Sequence, residues 1–275
     1  MLAVLLALSS SLVWGVSDFL GGALSRRIST LTVLLWSQLV GLVVMAVALP
    51  WFWHEPGGYL WWGFAGSIAG TAGLGLFFRA LAIGTMSVVA PIAGTGLVVP
   101  VLAGLISGER PALVQLLGIA AAATGVVLAS GPELRGEGAS RRSVLYALIA
   151  AMGFGTAQVC MAEGAAVSVA MTQLSALVAG LLLVGVSVVV ARPALLVATA
   201  DRLPISAIGV CNVIALGTYA QATRSDLLAV VAVLASLYPV VTVLLARQVF
   251  GERLRGVQRA GVAGALVGVV LLAAG

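Results

Sequence analysis

LTVLLWSQLVGLVVMAVALP, residues 31–50, runs for twenty residues without a charge, and its only polar side chains are Thr32, Ser37 and Gln38. As an α-helix such a run is about 30 Å long, the thickness of a bilayer's hydrocarbon core. The apolar residues do not alternate with polar ones, as the short strands of a membrane barrel would require. Lipid offers no hydrogen bonds, so a spanning backbone must satisfy its own polar groups, and an unbroken apolar run does so as a helix.

Working outward, apolar runs bounded by charge, Pro or Gly recur along the chain. They predict ten spans, at about 2–24, 31–50, 60–82, 87–107, 112–131, 143–163, 170–191, 204–222, 226–248 and 257–274. Composition agrees. The 275 residues are 61% hydrophobic and 8% charged, with a mean hydropathy of +1.18, whereas a soluble domain carries about 25% charged residues. The expected fold is an all-α integral membrane protein of ten transmembrane helices. The N-terminal run has no basic leader and continues through Trp14-Gly15, so it is read as the first span.

A polar stretch at 132–142 near the midpoint reads as a linker between two units, 1–131 and 143–275. Gly108-Glu109-Arg110 returns as Gly251-Glu252-Arg253. At the same offset, Val114-Gln115, Gly118 and Gly125-Val126-Val127-Leu128 return as Val257-Gln258, Gly261 and Gly268-Val269-Val270-Leu271. Trp14-Gly15 has a near counterpart in Phe154-Gly155. Five spans per repeat is an odd number, so the second repeat enters from the opposite side. The expectation is therefore two inverted five-helix repeats, an arrangement that serves alternating access in secondary transporters.

These residues resemble the drug/metabolite transporter superfamily, in its ten-span EamA-type branch. The resemblance extends over nearly the whole chain. It rests on Trp14-Gly15, Arg79-Ala80-Leu81 with Gly84, Pro91 and Pro100, Leu237-Tyr238-Pro239 and the two Gly-Glu-Arg triplets, each followed by a Gly-rich last span. It implies two five-helix bundles around a central cavity and transport of a small metabolite, amino-acid-like solute or drug-like compound. It also implies residence in a prokaryotic plasma membrane. Span eight departs from the pattern: it reads Gln221-Ala222-Thr223-Arg224-Ser225 and lacks a clear copy of the Ala-Leu-x-x-Gly turn.

The candidate substrate-binding residues are Trp14, Asp18, Arg79, Gln158, Asn212 and Tyr219. Asp18 lies inside the first span, where a carboxylate needs a partner, a proton or a wet cavity. Ser10, Trp14 and Asp18 are four apart and share a helix face. Asp18 either binds a solute or coupling proton, or pairs near the interface with Arg26 or Arg27. Arg79 reads first as an arginine that snorkels to the head groups and second as a solute contact. Gln158, Asn212 and Tyr219 serve either a cavity or packing between helices. Pro91, Pro100 and Pro239 are the candidate hinge residues, since proline removes an amide donor and crowds the preceding turn. Glu109 and Glu252 are read as caps or braces of tight turns.

All fourteen positive side chains are Arg, set singly or in small groups between apolar runs. They read as membrane-flanking anchors, so no nucleic-acid partner is expected. The expected partners are the bilayer, a small solute and, for coupling, a proton, with a monomer or homodimer as the functional unit. None of Cys160, Cys211 and His54 stands at metal-ligand spacing, so no metal, no cofactor and no catalytic residue is assigned. A membrane-embedded enzyme acting on a lipid or isoprenoid is the rival reading, although the chain lacks an acidic cluster for it. On orientation two expectations diverge. Arg crowds the odd-numbered connections, which puts both termini outside, while the family resemblance implies both inside.

Overall fold

The computed structural model describes residues 2–130, 140–250 and 256–274, and the statements below concern these. The described chain is all helical, in twelve α-helices. They are α1 (Leu2–Ser25), α2 (Thr30–Phe52), α3 (Leu60–Ile83), α4 (Met86–Gly94), α5 (Val98–Ile106), α6 (Leu113–Ser130), α7 (Arg141–Ala165), α8 (Val169–Ala191), α9 (Thr199–Thr223), α10 (Leu228–Ala235), α11 (Tyr238–Phe250) and α12 (Gly256–Ala274). Eight helical runs among the described residues are long and apolar enough to cross a membrane, two of them the composite runs Val88–Ile106 and Leu228–Phe250.

Those composite runs correspond to spans four and nine, where proline predicts a bend. The first is interrupted by a 3-10 turn at Thr95–Leu97, and the second breaks between Ala235 and Tyr238. Proline is placed unevenly around the breaks. Pro91 lies inside α4, but Pro100 and Pro239 lie in the first turns of α5 and α11. An amide donor is dispensable in a first turn. Two of the three prolines therefore stand at the start of a helix, beside the break rather than inside a helix.

Helix contacts pair off across the chain. α1 packs on α9 and α3 on α7; α2 packs on α9 and α3 on α8; α1 reaches α10 and α11, as α7 reaches α4 and α5. α6 packs chiefly on α12. Ser10 donates to the Ala215 carbonyl at 2.8 Å, and Arg27 pairs with Asp201 at 2.6 Å. α1 and α9 therefore run antiparallel. Glycines allow the closest approaches. A Cβ at Gly66 would lie 2.7 Å from the Cβ of Cys160, and one at Gly153 would lie 2.6 Å from the Ala69 carbonyl oxygen. Small residues at such seams let backbones meet, the packing that associates helices in lipid.

The buried interior has two clusters. One gathers Leu24, Leu34, Phe77, Phe78, Leu81 and Met86. The other gathers Ala7, Leu97 and Tyr219 with Val230, Val231, Val233 and Leu234 of α10. α10 is buried on all sides from Ala229 to Ala235, which is why its sequence shows no polar face. Outward, α2, α7 and α8 present Val43, Val47, Leu148, Met152, Leu182, Val186 and Val190, an apolar coat suited to lipid.

Candidate functional site

A cavity of about 180 Å³ lies between α1, α2, α3, α7, α8, α9 and α11. Its lining climbs α3 from Leu74 to Trp62, toward the end of the bundle that holds the 53–59 connection. Beyond Leu74 the space is filled by Phe77, Phe78 and Leu81.

The helix period places two α1 side chains in this cavity, Trp14 and Asp18, one turn apart. Ser10, one turn earlier, ties α1 to α9 instead. Trp14 meets the ring of Tyr219 at 5.8 Å and that of Tyr238 at 6.5 Å, and Phe154 meets Tyr238 edge-on at 6.4 Å. Buried polar groups in the lining include Asp18 (4% exposed), Gln158 (6%) and Tyr238 (4%). Gln158 Oε1 and the Tyr238 hydroxyl have no hydrogen-bond partner among the described residues. A buried polar atom left unpaired costs about 1–3 kcal/mol, and both atoms belong to residues that line the cavity. The lining also carries Ser37, Gln38, Ser67, Thr71 and Asn212. Part of it is already satisfied, since Gln38 Nε2 donates to Thr71 Oγ1 at 3.3 Å and Ser67 Oγ donates to the Ala176 carbonyl at 2.5 Å.

Of the residues expected to bind a solute, Trp14, Asp18, Gln158 and Asn212 line the cavity together. Tyr219 does not line it; it is wholly buried behind Trp14 and donates to the Gln158 backbone carbonyl at 3.3 Å. Arg79 is exposed and away from the cavity lining. The alternative pairing of Asp18 with Arg27 is not formed, because Arg27 pairs with Asp201 on α9. Arg26 stacks over the Phe250 ring at 4.4 Å. Pro91, Pro100 and Pro239 are buried but do not line the cavity.

Sequence reasoning passed over Phe154 and Tyr238 as cavity residues, and over the polar wall of Gln38, Ser67 and Thr71. A signal existed for Phe154, the counterpart of Trp14 in the repeat. Gln38 and Thr71 were also visible as polar residues within apolar runs. Glu109 turns out to cap a helix of the other half: its carboxylate accepts from the Leu228 and Ala229 amides at 2.6 and 3.0 Å, at the start of α10. Glu252 lies outside the described residues. No group of three or more metal-ligating side chains is found among the described residues.

A family model described as "EamA-like transporter family" matches residues 1–131 and again 141–274. A solved structure titled only as the crystal structure of a protein matches with a TM-score of 0.76 at 19% identity. The match covers 98% of this chain and 95% of that one, a likeness of fold. Comparison with curated proteins finds no significant match.

Proposed function

The chain belongs to the EamA-like transporter family of the drug/metabolite transporter superfamily, whose members are multi-pass membrane transporters, and from that premise we propose that it is a secondary transporter working by alternating access. Its cargo is a small metabolite, amino-acid-like solute or drug-like compound held in the central cavity by Trp14, Asp18, Gln158 and Asn212. Tyr219 backs the site by orienting Trp14. The chain comprises ten spans in two inverted five-helix repeats, 1–131 and 143–275, joined by 132–142, in a prokaryotic plasma membrane.

One observation carries this reading: the cavity is lined by residues that carry buried polar groups, two of them without partners among the described residues, and is closed by apolar packing beyond one end. Helix direction supports the inversion. α1 runs antiparallel to α9, and α3 runs antiparallel to α7 through the Gly66–Cys160 and Gly73–Ala150 contacts. α2 runs parallel to α9, with Ser37 beside Gly209 and Gly41 beside Val213, so α1 and α3 cross one way and α7 and α9 the other. α6 and α12, at 18 and 19 residues, reach about 27–29 Å as helices and complete the ten. The two interrupted runs supply bends at matching places, with Pro91, Pro100 and Pro239 as hinge residues.

Asp18 is the coupling carboxylate in this reading. Tyr238 of α11, Gln158 of α7 and Trp14 of its own helix share the cavity with it, and no cationic side chain among the described residues lines that cavity. A buried carboxylate without a cation must take a proton or a positively charged solute. The test is solute-driven proton movement in proteoliposomes over a metabolite and cation panel. Wild type is expected to move protons with its solute, and Asp18→Asn to lose that coupling. Unchanged coupling in the variant sinks the role of Asp18. A folded wild type that moves no solute in a broad panel sinks the transport mechanism and favours the membrane-enzyme alternative.

A further inference from the structure

Resting on the transport reading above, we propose that the cavity selects small monocationic arylalkylamines, a protonated amine joined by a short chain to one aromatic ring, over amino acids and neutral analogues.

Charge comes first. Among the described residues, Asp18 is the one ionisable carboxylate in the lining, and no Arg or His lines the cavity. The arginine nearest the end of α1 that has an acidic partner, Arg27, is bound to Asp201. The site thus has one negative group and nothing to neutralise a second. An α-amino acid would bring its own carboxylate into the same low-dielectric space, and a buried charge without a partner is strongly disfavoured. An amine lacking that carboxylate meets no such penalty.

Donor and acceptor chemistry agrees with charge. An ammonium offers three donors and no acceptor. The Asp18 carboxylate and the unpartnered Gln158 Oε1 are acceptors, and the unpartnered Tyr238 hydroxyl can accept as well. The rings of Trp14, Phe154 and Tyr238 stand beside them. Such rings attract a cation through their faces and pack an aromatic body against their edges.

Size is compatible with such a ligand. An apolar cavity of about 150 Å³ accepts benzene. The 180 Å³ here takes one ring with a short polar arm, and a long or multiply charged polyamine would not be matched by a single carboxylate. Asn212 in the lining is neutral and tolerates a ring hydroxyl or an indole N–H.

The experiment is titration of phenethylamine, phenylalanine and phenethyl alcohol into the full chain in lipid nanodiscs by calorimetry, paired with counterflow of each in proteoliposomes. Phenethylamine is expected to bind roughly ten- to a hundredfold more tightly than either analogue, the worth of one charge-assisted hydrogen bond. In Asp18→Asn its advantage over the alcohol is expected to collapse, and Tyr238→Phe is expected to weaken the amine several-fold while leaving the alcohol nearly unchanged. The wild-type ranking needs no variant, so misfolding of either cannot shelter the idea. Phenylalanine binding as well as the amine, the alcohol binding as well as the amine, or no binding of phenethylamine each overturns the proposal. Phenethylamine binding without counterflow leaves the site intact and sinks transport. Flux of other solutes with no preference for the amine leaves transport intact and sinks the selectivity.

Discussion

Glu109 illustrates how one side chain can join two halves of this molecule. Its carboxylate receives two amide donors at the start of α10, where the helix dipole also favours a negative charge. Glu109→Ala is expected to cost about 1–2 kcal/mol, the usual worth of a lost helix cap, read as a lower melting temperature in detergent. Glu109→Gln should recover part of it; a melting point unchanged in both variants removes the cap from the account. At this scale the sequence was informative wherever a polar group interrupts an apolar run. Asp18, Gln158 and Asn212 stand out in that way, and all three line the cavity. Tyr238 does not stand out, because an aromatic among apolar residues carries no sign of which way it faces, and Phe154 is signalled only as the repeat counterpart of Trp14. Arg79 belongs to the opposite case, conspicuous by charge yet directed outward.

The interrupted runs are the elements on which the cavity depends. A Cβ at Gly96, in the 3-10 turn, would collide with the backbone carbonyl of Ala151, and one at Gly155 would lie 2.7 Å from Val99 Cβ. α7 is therefore seated against the break in the first half, much as Gly15 of α1 is seated against Tyr238 and Val241 of α11. Gly155→Leu should destabilise by about 1–3 kcal/mol, the range for overpacking, and lower the fraction of folded protein recovered in detergent by size exclusion. A variant as stable as wild type would mean that α7 is free to move away. Pro239→Ala provides the contrast: a first-turn proline contributes little there, so the melting temperature is expected to stay within a few degrees of wild type. Apolar run length located these elements well in the sequence. Proline also pointed to a bend in each run, and in the first the interruption at Thr95–Leu97 lies between Pro91 and Pro100; the form of the break, a 3-10 turn, was not legible.

Across the whole molecule, the two ends differ in charge and in packing. The end beyond the cavity floor holds Arg26, Arg27, Arg141, Arg142, Arg192 and Arg202, near the connections after α1, α8 and the start of α7. The end toward which the cavity climbs has Arg110 and Arg224. The positive-inside rule predicts that the Arg-rich, closed end faces the cytoplasm, the orientation opposite to the one the family resemblance implies. A membrane-impermeant maleimide should then label His54→Cys in intact cells, with Cys160 and Cys211 replaced; labelling only after lysis reverses the orientation. The Arg27–Asp201 pair spans that closed end, so joining cysteines at these positions with a short bismaleimide is expected to stop counterflow. Undiminished flux in the joined protein would show that this end never opens. The charge bias was readable from the sequence, but its relation to the cavity was not, since a cavity exists only once helices from both halves have met.

That dependence has a consequence for biogenesis. The glycine face of α3, which meets α7 at Gly66, Gly70 and Gly73, enters the bilayer roughly ninety residues before its partner, on the order of 5–20 s earlier during synthesis. Through that interval the groove has only lipid or the insertion machinery to occupy it. The nascent first half is thus the stage most exposed to quality-control proteolysis, and the arrival of α7 is the event that ends the exposure.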